Sequence, residues 1–147
     1  CEDRIKKYDK NLKNFQIKYS NTNFINFFGN LSIKYKNLPK TSPDFIYIDG
    51  PSQLNISNTK NSGFDINHPD LLPISCDVLL IEYYLIPGTI VCIDGRGGNA
   101  QFLKDNFKRK WKYTYFKNFD IHIFILKAPP LGKLSEKQLK FFKNSFF

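Results

Sequence analysis

The tract Pro43-Asp44-Phe45-Ile46-Tyr47-Ile48-Asp49-Gly50-Pro51 constrains this chain more than any other. The apolar run from Phe45 to Ile48 stops abruptly at an acid and a glycine. A run without polar alternation suits a strand covered on both faces, as in a parallel sheet, better than a strand with one wet face. The Asp-Gly that closes it puts a carboxylate where the chain leaves the sheet, which is where open α/β sheets take their ligands. The pattern recurs in Thr89-Ile90-Val91-Cys92-Ile93-Asp94-Gly95. With a helical pattern between them, the two tracts read as a βαβ unit carrying two acids at one rim.

The 147 residues are enough for one domain with a proper core, taken here as residues 1–147. A hydrophobic fraction of 41% and an aromatic fraction of 16% exclude a disordered chain. The net charge of +9 raises the question of nucleic acid. However, the lysines are scattered, and the arginines are only Arg4, Arg96 and Arg109, which argues against such a partner. Cys1, Cys76 and Cys92 are odd in number and far apart, so they form neither a disulfide framework nor a zinc pattern and fit a reducing cytoplasm. No apolar stretch approaches the roughly 18 residues needed to span a bilayer. With no Met, and opening on Cys1-Glu2-Asp3, the sequence reads as the C-terminal piece of a longer protein.

Along the chain, helical spacing covers residues 3–14, and Phe15 to Tyr19 reads as a strand. Phe24 to Phe28 and Leu31 to Tyr35 read as a hairpin about Gly29-Asn30. Residues 51–74, rich in Asn, Ser, Gly and Pro, form a long irregular loop of the kind that is functional or mobile. The spacing of Val78, Ile81 and Leu85 predicts a helix over 76–86, with Ser75 as its N-cap. Gly97-Gly98-Asn99 opens another helix, whose apolar face is Ala100, Leu103 and Phe107. Trp111 to Phe116 and Ile121 to Leu126 predict a β-hairpin about Asn118. Residues 133–147 form a helical tail with a capping box at Ser135 and Gln138. Its Phe141, Phe142, Phe146 and Phe147 pack on the sheet or make a homodimer contact. This order implies a mostly parallel sheet with an antiparallel edge hairpin.

These tracts resemble the second half of class I S-adenosylmethionine-dependent methyltransferases. The fourth strand of that family often reads like Asp44-Phe45-Ile46-Tyr47-Ile48-Asp49-Gly50. The turn into its fifth strand resembles Leu85-Ile86-Pro87-Gly88-Thr89, and a sixth strand with an antiparallel seventh matches Trp111 to Leu126. More narrowly, Asp49-Gly50-Pro51-Ser52-Gln53 and the stretch from Asp94 to Phe107 are similar to uncharacterised methyltransferase-like proteins of bacterial surface-polysaccharide gene clusters. The resemblance covers most of residues 2 to 132. It implies a three-layer α/β/α, Rossmann-like domain lacking its first strand or strands, with S-adenosylmethionine as cofactor. The implied chemistry is methyl transfer to a hydroxyl of a small or sugar-like acceptor. Two departures stand out: the cofactor's glycine-rich loop is absent from this chain, and Gly50-Pro51-Ser52-Gln53 replaces the Asp-His-x-Tyr run of many sugar and phenol methyltransferases. They favour the alternative, a non-catalytic Rossmann-like binding or scaffold module of polysaccharide biosynthesis.

Asp49 and Asp94, at the ends of neighbouring parallel strands about 4.8 Å apart, could face the acceptor or share a divalent cation such as Mg²⁺. The plainer reading is that each accepts backbone N–H bonds in its own Asp-Gly corner. By the resemblance, Glu2 corresponds to the acid that binds the cofactor ribose, although a Glu beside a chain end is usually just solvated. Arg96, Gly97, Gly98 and Asn99 place a guanidinium and free backbone at a helix N-terminus, a ready anion site. Against that stands a turn whose glycines relieve strain and whose Asn99 caps the helix. His68, in the long loop, could serve as a general base, although a loop histidine is more often solvated. His122 shares a strand face with Phe124 and reads as structural.

Overall fold

The computed structural model of the chain describes residues 16–39, 41–49 and 74–127. In chain order these form β1 (Thr22–Phe27), β2 (Asn30–Tyr35), β3 (Phe45–Ile48) and α1 (Asp77–Ile81), which runs into a 3-10 turn (Glu82–Tyr84). Then follow β4 (Ile90–Asp94), α2 (Gly97–Asn106), β5 (Trp111–Phe116), a second 3-10 turn (Lys117–Phe119) and β6 (Ile121–Leu126).

The expected hairpin is β1–β2, paired antiparallel from Thr22↔Tyr35 to Phe27↔Asn30. Its turn needs two residues at positive φ, and Phe28 (48°) and Gly29 (86°) supply them. Such a turn follows the twist of the strands it joins. The amide of Gly29 donates to Asn26 Oδ1 at 2.7 Å, which holds Phe28 in a conformation unusual for a bulky residue. The strand expected over Phe15 to Tyr19 does not form over 16–19, which are irregular, and no segment among the described residues pairs with them.

The second sheet has the order β3-β4-β6-β5. The two acid-tipped strands lie side by side and parallel, with Phe45↔Ile90 through Ile48↔Ile93 in register. β6 then runs antiparallel to both β4 and β5. The three-layer α/β/α, mostly parallel architecture is therefore incorrect for the described residues. Only one of the pairings is parallel, and the helices are short, 5 and 10 residues. The cause is the β5–β6 connection: residues 117–120 are too few for the crossover a parallel neighbour needs, so the hairpin must pair antiparallel. Its second strand then pairs with β4, inside the sheet rather than at the edge.

One sheet face carries the core. Val91, Ile93, Phe124 and Leu126 pack with Val78 and Leu79 of α1 and with Ala100, Phe102 and Leu103 of α2. On the other face Phe45 and Tyr47 stay 58% and 53% exposed. The apolar run of β3 is thus a half-covered edge strand, which aromatic side chains tolerate well. The hairpin joins this layer through Ile33, whose amide donates to Ile74 O at 2.9 Å and whose carbonyl accepts from Cys76 N at 3.0 Å. Phe27 meets Phe102 edge to face, ring centres 6.0 Å apart.

The helix expected over 76–86 tightens after Ile81, and Ser75 is not its cap but an extended residue bridged to Ile33. Glu82 explains the tightening. It is 2% exposed, and its carboxylate accepts from Lys108 N at 3.1 and 3.0 Å, Arg109 N at 2.9 Å and Trp111 Nε1 at 2.9 Å. The Arg109 guanidinium returns to the carbonyls of Glu82, at 2.8 Å, and Leu85. These bonds satisfy carbonyls at the start of the turn and just past it and tie it to the segment between α2 and β5. Among the described residues no helix is long and apolar enough to cross a membrane.

Candidate functional site

The register of β3 and β4 brings Asp49 and Asp94 to the same end of the sheet. Tyr47 pairs with Cys92, so its side chain shares a face with Asp94 two residues on. Its hydroxyl donates to Asp94 Oδ2 at 2.5 Å. That bond, with some burial and the negative charges of Asp94 and Asp49, pushes the Tyr47 hydroxyl up to about 12. Tyr47 therefore stays a proton donor at neutral pH and does not act as a base. Among the described residues no group of three His, Cys, Asp or Glu side chains stands together.

Beside this rim lies a cleft of about 520 Å³, mostly apolar, between β3, the segment after β2 and α1. Ile46, Ile48 and Val78 form its apolar wall, while Tyr35, Asp49 and Asp77 supply polar groups. Asp77 is buried, accepting from Tyr35 N at 3.0 Å and from Ser75 Oγ at 2.8 Å. Burial raises its carboxyl above the ordinary value, although these hydrogen bonds and Lys34 pull the other way. A raised acid favours the protonated folded state, so its stabilising share is full below the unfolded value and is lost as pH rises through the folded one. Asp77→Asn keeps an acceptor for Tyr35 N and has no charge to desolvate. Its melting temperature is expected to exceed the parent's at pH 7, with the difference closing toward pH 3. Thermal melts across that range check this, and a D77N protein less stable than the parent at pH 7 contradicts it.

The anion set at 96–99 is divided. The Asn99 side chain accepts from Ser75 N at 2.8 Å and donates to Ser75 O at 3.4 Å. It fastens α2 to the segment that joins the two sheets, and is neither a ligand-facing group nor a helix cap. The N-cap residue is Arg96, with no side-chain cap bond. Gly97 and Gly98 remain exposed at the start of α2. Glu2, with the ribose role implied for it, and His68, with that of general base, lie outside the described residues. Neither thiol in the described residues is poised to react: burial raises both, Cys76 to about 12.

Sequence reasoning overlooked Tyr47, Asp77 and Glu82. Glu82 lies four residues after Val78, on the apolar stripe of its own helix. An acid in that position signals a buried carboxylate with partners. Nothing local marks Tyr47, because its partner lies 47 residues away. Compared with known protein families, characterised proteins and solved structures, the chain gives no significant match.

Proposed function

We propose that the β3–β4 rim and its cleft bind a small hydroxyl-bearing or sugar-like molecule, and that the chemistry served is methyl transfer to one of its hydroxyls. The observation that carries this reading is the parallel pairing that ends in Ile48↔Ile93, which brings Asp49 and Tyr47 to the lining of a mostly apolar cleft and Asp94, hydrogen-bonded to Tyr47, to the same end of the sheet. A few polar groups converging on an apolar cavity of several hundred Å³ is the usual build of a small-molecule site. Asp49 accepts a hydrogen bond from the acceptor hydroxyl and orients its oxygen. Asp94 keeps Tyr47 in place, and the apolar wall keeps water from the reacting oxygen. S-adenosylmethionine, implied by the sequence resemblance, would supply the electrophilic methyl group. Alignment is the main contribution such a site makes.

A second reading, a binding or scaffold module without chemistry, is favoured by one observation: Asp94 already accepts the Tyr47 hydroxyl. Calorimetric titration of S-adenosylmethionine into the full-length protein separates the two. Saturable binding with a Kd of roughly micromolar to millimolar is expected for the enzyme. No heat at millimolar cofactor would overturn methyl transfer and leave the module.

A further inference from the structure

The first turn of α2 presents the amides of Gly97, Gly98 and Asn99 with no acceptor among the described residues. The first amide bonded within the helix is that of Ala100, to Arg96 O at 2.9 Å. A helix start of this kind attracts anions. What makes it more than a helix start is His122, 6% exposed, whose Nε2 has no hydrogen-bond partner among the described residues. The ring stacks on Tyr115, centroids 4.3 Å apart, and Nδ1 is hydrogen-bonded to the Tyr113 hydroxyl at 2.8 Å. Asp120 Oδ1 stands 3.9 Å from Nε2, beyond hydrogen-bond reach, and accepts from the Tyr115 hydroxyl at 3.0 Å. A Cβ on Gly97 would lie 3.7 Å from Nε2, so the bare glycine leaves the imidazole facing the first turn of the helix.

A buried ring nitrogen is seldom left unpaired without a reason. With the Tyr113 hydroxyl donating to Nδ1, the neutral ring carries its proton on Nε2 and offers a fourth N–H beside the three amides. Arg96, the N-cap residue of α2, adds a positive charge at this end of the helix. We propose that the α2 first turn and His122 Nε2 form a binding site for phosphate, free or as the monoester of a small molecule. This site stands independently of the methyl-transfer reading.

The test is an NMR titration of the ¹⁵N-labelled protein with inorganic phosphate at constant ionic strength. Saturable shifts are expected at the Gly97, Gly98 and Asn99 amides and at the His122 ring nitrogens. His122→Phe keeps the stacking, removes the donor and is expected to weaken phosphate binding about tenfold. Non-saturating shifts spread over the lysines, or unchanged affinity in His122→Phe, would overturn the site. Should His122→Phe fail to fold, Gly97→Ala decides. Its Cβ reaches Nε2 at 3.7 Å without a clash, and it must weaken binding at least about threefold, whereas unchanged affinity rejects the proposal.

Discussion

Glu82→Ala is expected to lower the stability of the fold by about 3–5 kcal/mol. The truncation leaves Lys108 N, Arg109 N and Trp111 Nε1 without their shared acceptor. Hydrogen bonds to a charged group contribute about 1.5–3 kcal/mol each, and a buried donor left unpaired costs its desolvation besides. The three donors do not sum in full, because water can reach the partly buried amides. Glu82→Gln is expected to recover much of the loss. Its one oxygen, in the place of Oε1, still accepts from Lys108 N, Arg109 N and Trp111 Nε1, and only the second Lys108 N contact, to Oε2, would meet an N–H. A single domain has only about 5–15 kcal/mol in total, so urea unfolding should show a large fall in midpoint. A loss under about 1 kcal/mol would mean that the carboxylate does not organise this junction.

Phe124→Ala is the second large effect, again about 3–5 kcal/mol. Phe124 is 1% exposed and sits on β6, between β4 and β5. It meets Phe107 edge to face at 5.4 Å and Tyr113 at 4.8 Å, so one truncation empties the place where α2, β5 and β6 converge. Backbone pairing on both sides of β6 prevents the strand from moving in to fill the cavity, so the cost should fall at the high end of the range for such changes. Phe124→Leu, which keeps most of the volume, should cost less than half as much. The fluorescence of Trp111, stacked on Phe107 at 4.3 Å, reports the transition directly. A Phe124→Ala protein within about 1 kcal/mol of the parent would show that this cluster is not the centre of the core.

Much of the local structure was legible in the residues. The strands of the second hairpin, 111–116 and 121–126, fall where alternation and the turn about Asn118 put them. The β1–β2 hairpin forms about Gly29, and the two acid-tipped runs lie parallel and adjacent. The layering was not legible. The unbroken apolar run of β3 suggested cover on both faces, yet Phe45 and Tyr47 are more than half exposed. Alternation cannot report whether a second helical layer exists, because that depends on what packs against the strand and not on the strand itself. The three-layer architecture that the resemblance to methyltransferases implied is overturned with it.

The sites divide in the same way. Asp49 and Asp94 were identifiable because an Asp-Gly corner at the end of an apolar run is a local signature. The commitment of Asn99 to Ser75, the four hydrogen bonds held by Glu82 and the unpaired Nε2 of His122 each depend on segments distant in sequence. By itself the sequence determined which short segments extend or coil and where two carboxylates leave a sheet, since neighbouring side chains and turn chemistry control those choices. The tertiary structure alone decided that β6 inserts between β4 and β5, that one sheet face is left open, and which polar side chains hold the chain together rather than face a ligand. Burial and hydrogen-bond partners exist only once distant segments meet.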